Sequence, residues 1–516
     1  MRFIELRWRA GCRRVVALAT VLVFVCGVQA TTKPRAGGVL RVEFLTSSVT
    51  LDPRAWKQGS RDFATNERLA SLVFDRLIAL DNYGRFVPQL ATDWTLDASF
   101  HRWQFTIRTD ARFSDDTQLT AADAAAALAP LLPEGLKTTA AGNNLLFQSS
   151  EQWPDLLEIL ASGRFLVYRI SPDGALSGTG PFTLDEAAKS GKSPAGDAAG
   201  GLQHFRFSAN ESYWAGRPFL DAIDVSLGVP PLRALFDLQV GKAELVELAP
   251  DIARRAAQSN TRVWASSPVT LYALRFDESQ PQSANETLRE ALSLSLDRTT
   301  MAGVLLQKQA EPAAALLPQW LSGYAFLFRA EMDLEHAKQL RASLPANVVG
   351  GTSPLRVQPQ APSDLARLLA ERVAVNARQA GLSVQPLAKA AARDGTPHAA
   401  DLAELHLFAW RYSSLSPGEE LREFAKAERL QESKESNPSD PDRRYAWERK
   451  ILEERKLIPL VALPDYAGLA PTVRDWRPSP WGEWRLADVW LEPAGSQVGV
   501  SRNPAPTVPA TPGVRP

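Results

Sequence analysis

Five histidines, His101, His204, His336, His398 and His406, are the first residues to test for chemistry in this chain of 516. None lies in a His-Glu-x-x-His helix, the spacing that puts two imidazoles on one helical face with a general base beside them. The sequence also lacks a P-loop, a Gly-x-Ser-x-Gly elbow and a Gly-x-Gly-x-x-Gly turn. Its compact glycine motif, "GTGPF" at Gly178–Phe182, runs straight into a proline. A phosphate cradle needs free backbone donors at a helix start, which this motif does not offer. His204 and His406 fall at strand positions, where a hydrogen-bonded structural role is expected. The acid pair Asp115–Asp116 says little alone. With no nucleophile–base pair to name, the expectation is a protein that is not an enzyme and uses neither cofactor nor metal. One aromatic pair stands out: "SANESYWAGRPFLDAI" sets Tyr213 and Trp214 before a Gly-Arg-Pro turn. It is either a stacking platform for a ligand or a wedge that fixes a turn.

The elements that must position such residues begin after a separate leader. Arg2, Arg7, Arg9, Arg13 and Arg14 precede "VVALATVLVFVCGV", and "VQA" ends the run at Ala30 with small residues. This is the order of a secretory signal, residues 1–30, and its apolar run is short for a membrane span of about 20 residues. Both cysteines, Cys12 and Cys26, lie within it. Cleavage after Ala30 leaves no thiol, so neither disulfides nor cysteine chemistry. Lipidation at Cys26 is the weaker alternative, because Val25 stands where a small residue belongs. Lys plus Arg and Asp plus Glu balance at 58 each. Loss of the leader's five Arg and one Glu makes the exported chain mildly acidic. No global field then draws it to nucleic acid or an anionic membrane.

An apolar fraction of 45% with 22% charged residues fits a soluble protein of two or three packing units. Strands are expected at Val39–Leu45, through "HRWQFTIRTD" with Trp103, Phe105 and Ile107 on one face, and at "LQHFRFSAN" and "DAIDVSLGV". An apolar stripe predicts a helix over Asn66–Leu80, and Thr120 with Asp123 predicts a capping box. Gly241 stops a helix before a strand. Further helices are expected at Glu286–Leu296, Thr299–Gln307 and from Asp333. "LRVQPQ", a long helix to Gln379 and "GLSVQPL" form a crossover unit, followed by strands in "AELHLFAW" and "LIPLVAL". Residues 190–201 read as a surface loop and the Pro-rich residues 493–516 as a disordered tail. The pattern is α/β in several lobes.

Taken in order, "LDP", "VPQLATDW", "WQFTIRTDARFSDDTQLTAADA", "GTGPF", "ESYWAGRPFLDAI", "LREALSLSLDR" and "PLVAL" resemble the bacterial family 5 extracellular solute-binding proteins of the oligopeptide, dipeptide and nickel type. The likeness runs from Gly38 to Leu491. It implies a type II-like periplasmic binding fold with hinged lobes and an extra small lobe. Lobe I would comprise residues 38–75, 179–268 and 458–492, lobe II 76–178, and lobe III 269–457. A ligand would sit between lobes I and III, which close by a hinge. In this family the Tyr-Trp stretch is a scaffold turn, so the resemblance favours the wedge.

In peptide-binding members, a Trp followed by Asp three residues on and Pro seven on lines the pocket, the Asp meeting the peptide's ammonium. "WRYSSLSP" keeps Trp410 and Pro417 but places Ser413 where that Asp belongs. A neutral hydroxyl cannot supply the charge-assisted bond, of about 1.5–3 kcal/mol, that a buried ammonium wants. Arg411 either favours a carboxylate or phosphate or, by strand alternation, points to solvent. Ser47 and Ser48 match a cleft-lining strand, and Tyr272 the crossover strand. For these three, plain structure is as good a reading as ligand contact. The stretch after Pro417 is short and charged, and the second lobe carries "RFSDD" where the family usually differs, so ligand choice is less constrained than fold. The expected role is capture of a peptide-like or other small solute for an ABC importer permease, as a periplasmic monomer. The alternatives are an envelope sensor or interaction scaffold without transport, and a periplasmic hydrolase.

Overall fold

The computed structural model describes residues 33–60, 62–170, 174–185, 202–345, 354–360, 363–387, 403–430 and 440–493. The expected leader with Cys12 and Cys26, the loop at 190–201 and the tail from 494 lie outside the described residues. Residues 36–516 belong to one unit.

Half of the described strands join one sheet. Its path runs Phe182–Leu184, Gln203–Ala209, Ala222–Leu227, Val39–Phe44, Leu245–Leu248, Leu457–Leu469, Arg262–Phe276, Leu405–Arg411, Leu355–Pro359, Val384–Pro386. Val39–Phe44 pairs in parallel with both its neighbours, and Leu355–Pro359 with both of its own. Parallel neighbours require crossovers. The expected unit at 355–386 is one, its helix Asp364–Gln379 capped by Ser363 Oγ, which accepts from the Ala366 N–H at 3.0 Å.

Two long antiparallel strands hold the halves of this sheet together: Arg262–Phe276 and Leu457–Leu469. Their register slips on either side of Pro268, which faces Pro464. Proline cannot donate to a ladder, so each one weakens the pairing where it stands. The hydrophobic core divides at the same place. Val263, Trp264, Tyr466 and Leu469 belong to a cluster built on residues 40–256 and 466–489. Tyr272, Leu274, Phe276, Leu460 and Val461 belong to a second, with Leu288, Leu369 and Leu407. A third, around Phe408, Trp410 and Phe424, flanks the other face of the same strands.

The helix expected over Asn66–Leu80 is shorter, Phe63–Val73, and its last residues are strands. Asp75–Arg76 pairs with Leu166–Val167, and Ile78–Leu80 with Phe86–Pro88. The cause lies in "GTGPF". The Gly180 N–H donates to Val73 O at 2.8 Å, and a Cβ on Gly178 would lie 2.0 Å from that same oxygen. Glycine lets two backbones meet here, and the contact ends the helix. A separate four-stranded sheet orders Ala91–Leu96, Arg102–Ile107, Asn144–Gln148 and Lys137–Ala141. Trp103, Phe105 and Ile107 share its buried face, and the capping box at Thr120 and Asp123 opens the helix Ala121–Leu128.

The aromatic pair is a wedge. Tyr213 Oη donates to Asp75 Oδ1 at 3.1 Å, while Trp214 Nε1 and Thr179 Oγ1 donate to Asp75 Oδ2 at 2.8 and 3.0 Å. The Arg108 guanidinium lies 3.5 Å over the Trp214 ring. Burial pushes the Asp75 carboxyl up to about 6 despite its three donors. His204 Nδ1 lies 3.0 Å from the cross-strand Ser226 Oγ, and His406 Nε2 lies 3.5 Å from Asp277. Asp115 and Asp116 form a turn, Asp115 accepting from the Thr117 N–H at 3.0 Å.

Candidate functional site

The segment Trp410–Ser416 leaves the sheet where the cores meet. The Arg411 N–H donates to Gly59 O at 2.9 Å. Gly59 has φ +71°, and a Cβ on it would lie 2.2 Å from Trp410 Cε3, so only glycine lets the indole press against this backbone. Trp410 meets Phe424 edge-on at 5.0 Å, and its Nε1 donates to Glu420 Oε1 at 2.6 Å. The other oxygen of Glu420 accepts the N–H groups of Ser413 and Ser414 at 2.9 and 2.7 Å. Burial pushes the Glu420 carboxyl up, and these donors pull it back. Across the junction, Ser413 Oγ donates to Gln58 Oε1, the Leu415 N–H donates to Ser162 Oγ at 2.9 Å, and Ser416 Oγ donates to Asp155.

Arg411 is 3% exposed, and its Nη1 lies 2.8 Å from Asp465 Oδ2. Arg68, from the helix Phe63–Val73, pairs with the same oxygen. It also donates to Gly482 O at 3.2 and 3.1 Å and lies 4.4 Å over Trp484. Asp465 follows Pro464 at the register slip, with its N–H on Ser266 Oγ at 2.8 Å. Burial pushes its carboxyl up, but Arg411 and Arg68 outweigh that and hold it below the ordinary value. One carboxylate between the two long strands therefore ties a cation of one core to a cation of the other.

Beside this junction is a cavity of about 10 Å³, lined among others by Glu67, Arg76, Trp320, Tyr412, Ser413 and Trp481. It has room for about one water, so a larger guest needs the walls to part. Arg76 donates to Ala161 O at 2.8 Å and pairs with Glu483; burial pushes it down to about 10. A larger cavity, about 310 Å³, lies between Leu294, Phe328, Tyr445 and Leu457. Its Arg449 and Arg455 are paired with Glu453 and Glu290, and its lining includes none of Arg68, Asp465 or the segment Trp410–Ser416.

The structure thus brings Trp410, Arg411 and Ser413 together at the junction. Arg411 does not point to solvent, and its charge is matched by Asp465. Tyr272, 6% exposed, packs in the second core, and Ser47 and Ser48 are exposed after the first strand, outside the small cavity's lining. Sequence reasoning missed Gln58, Gly59, Glu67, Arg68, Glu420 and Asp465. A signal existed for Arg68, since it sits four residues before Leu72 on an apolar stripe, where a charge needs a buried partner.

Two cores joined by a pair of long strands, with a lined junction between them, define the class of type II periplasmic binding proteins. The family model "Bacterial extracellular solute-binding proteins, family 5 Middle" matches residues 85–161 and 168–429, and the chain belongs to that family. It is 22% identical over 299 residues to the peptide transport periplasmic protein SapA of Salmonella typhimurium, covering 49% of this chain and 52% of that protein. It is 23% identical over 270 residues to the nickel-binding periplasmic protein of Escherichia coli, covering 46% and 49%. The chain thus spans about half the length of these curated relatives. The fold is similar to that of the Escherichia coli murein tripeptide binding protein MppA, with TM-score 0.70 at 16% identity over 88% of this chain and 98% of that one.

Proposed function

We propose that the protein captures a peptide-like or other small solute between two closing lobes outside the cytoplasm and delivers it to the permease of an ABC importer. The observation that carries this reading is the junction itself. Arg411 and Arg68 reach Asp465 from opposite cores, beside the proline-marked slip of the only two long strands described. A pair of strands weakened at facing prolines is a natural hinge. Closure over a guest removes it from water, where a few polar groups count for more. Lobe I comprises residues 38–75, 179–268 and 458–492, lobe II 76–178 and lobe III 269–457. The leader at 1–30 directs export, and the working form is a monomer.

The test is a broad solute panel read by thermal shift and small-angle scattering. A captured solute raises the melting temperature by an amount that grows as ln(1 + [L]/Kd) and lowers the radius of gyration. A panel in which no solute moves either quantity overturns the proposal.

A further inference from the structure

We infer that the cavity of about 310 Å³ beside Arg298 is a ligand site in its own right, and that it takes an organic monocarboxylate with an apolar, ring-sized body. This goes beyond solute capture, because the lining shares no residue with the junction of the cores.

Four elements build the cavity. The helix Glu286–Ser295 supplies Ser293 and Leu294, the segment 327–331 supplies Phe328, the helix Pro441–Glu453 supplies Tyr445 and Leu452, and the long strand contributes its first residues from Leu457. The volume falls in the range of small-molecule sites, about 300–1,000 Å³. Arg298 is 4% exposed, and each acceptor it meets is neutral. Its Nε donates to Pro459 O at 2.7 Å and its Nη1 to Ser293 O and Leu296 O, both at 3.3 Å. Its Nη2 reaches the Ser293 hydroxyl at 3.4 Å. Among the described residues no carboxylate lies within ion-pairing distance of it. Ser293 O and Leu296 O mark the C-terminal end of a helix, whose dipole is equivalent to about half a charge. The remainder is uncompensated. Burial lowers this guanidinium to about 10, so it stays charged at neutral pH. Buried charges are ordinarily paired, and here the missing counter-charge can come from a guest in the adjoining cavity.

The other cations of the lining are already matched. Arg449 pairs with Glu453 and Arg455 with Glu290, both at 2.7 Å, and the exposed Arg329 stands 3.7 Å from Glu331. One positive charge is left, which suits a monoanion and would leave the second charge of a phosphate without a partner. A planar carboxylate also matches the guanidinium fork. Much of the remaining wall is apolar, formed by Leu294, Leu452, Leu457 and Ile458 with the rings of Phe328 and Tyr445, 5.2 Å apart and tilted at 44°. Such a wall favours a guest whose body is a ring or a branched chain.

The test uses the full-length chain at pH 8, with benzoate as probe, benzamide as its uncharged counterpart and inorganic phosphate as the dianion. In titration calorimetry benzoate is expected to bind saturably. Benzamide should bind about 10- to 100-fold more weakly, the worth of one charge-assisted bond, and phosphate more weakly than benzoate. Ala330→Trp fills the cavity while leaving Arg298 in place and should abolish benzoate binding. Arg298→Gln should reduce it to the benzamide level. Crystals grown with 4-bromobenzoate should place the bromine between Phe328 and Tyr445. If a variant fails to fold, the wild-type comparison and the bromine position still decide. The inference is overturned if benzoate does not saturate, if benzamide equals it or phosphate exceeds it, or if a folded Ala330→Trp binds it unchanged. Bromine at the junction of the cores, or in no ordered place, overturns it as well. Capture at the junction is decided separately by the broad panel above.

Discussion

Asp75 shows how much one side chain can organise. It takes donors from Tyr213, Trp214 and Thr179, which lie 138, 139 and 104 residues away in sequence. Asp75→Ala would strand these donors in a nearly closed site. Each lost acceptor costs about 1–3 kcal/mol, offset by relief of a carboxylate that burial already disfavours. The expected net loss is about 2–4 kcal/mol in urea unfolding, with Asp75→Asn milder because its amide oxygen still accepts from Trp214. A loss below about 0.5 kcal/mol for the alanine variant would show that the aromatic wedge stands without its anchor. The wedge itself was legible in "SYWAGRP", since Gly-Arg-Pro is turn chemistry. Its anchor was not, because nothing local in "VFDRL" marks which distant residue will meet Asp75. The same limit applies to Ser413. Its place could be inferred, but the Glu420 and Gln58 that occupy its donors could not.

At the scale of elements, periodicity served well where one face is buried over many residues. The helix Asp364–Gln379 and its flanking strands fall as their pattern predicts. The helix Phe63–Val73 is shorter than the spacing predicts because Leu77 and Leu80 continue that spacing, but Leu77 is a bend between two short strands and Leu80 lies in the second, and short apolar runs suit either state. What cut the helix was a tertiary contact with "GTGPF". That contact gives an element-scale prediction. In Gly180→Ala the new Cβ would lie 2.5 Å from Val73 C, a backbone atom that cannot swing aside. The segment carrying Gly180 must lift from the helix end, with an expected cost of about 2–4 kcal/mol. A matched alanine at Gly303, where an added Cβ meets nothing within 4 Å and the backbone has no positive φ, controls for the loss of glycine. The long strands were legible only in part, since Pro268 and Pro464 argue against a central strand in any local reading. They are tolerated because the register slips around them.

The whole molecule carries an acid–base signature that no single element reveals. Burial pushes Asp75 up to about 6, and Glu43, Glu419 and Glu448 up to about 7. In each case the native state holds a proton that the unfolded chain, titrating near 4, has released. Such groups favour folding fully below the unfolded value and lose that contribution as pH rises through the native one. His406 acts oppositely, because burial lowers it and the unfolded chain takes up the proton first as pH falls. It is one group against four. Asp465, Asp221 and Asp277 are held below their ordinary values, so their contribution survives until pH falls beneath about 4. The melting temperature is therefore expected to rise by several degrees as pH is lowered from 8 to about 5, and to fall again below about 4. Scanning calorimetry of the unliganded chain at unit pH steps measures this directly. A melting temperature that is flat or declining between pH 8 and 5.5 would mean these carboxyls are ionised in the native state. Glu448 makes the sharpest check, because its Oε1 accepts from the Leu316 and Leu317 N–H groups and its Oε2 from Tyr324. Glu448→Gln keeps an acceptor for the backbone pair and removes the titration, so it should flatten part of the acid-side gain while leaving the pH 5 melting temperature nearly unchanged.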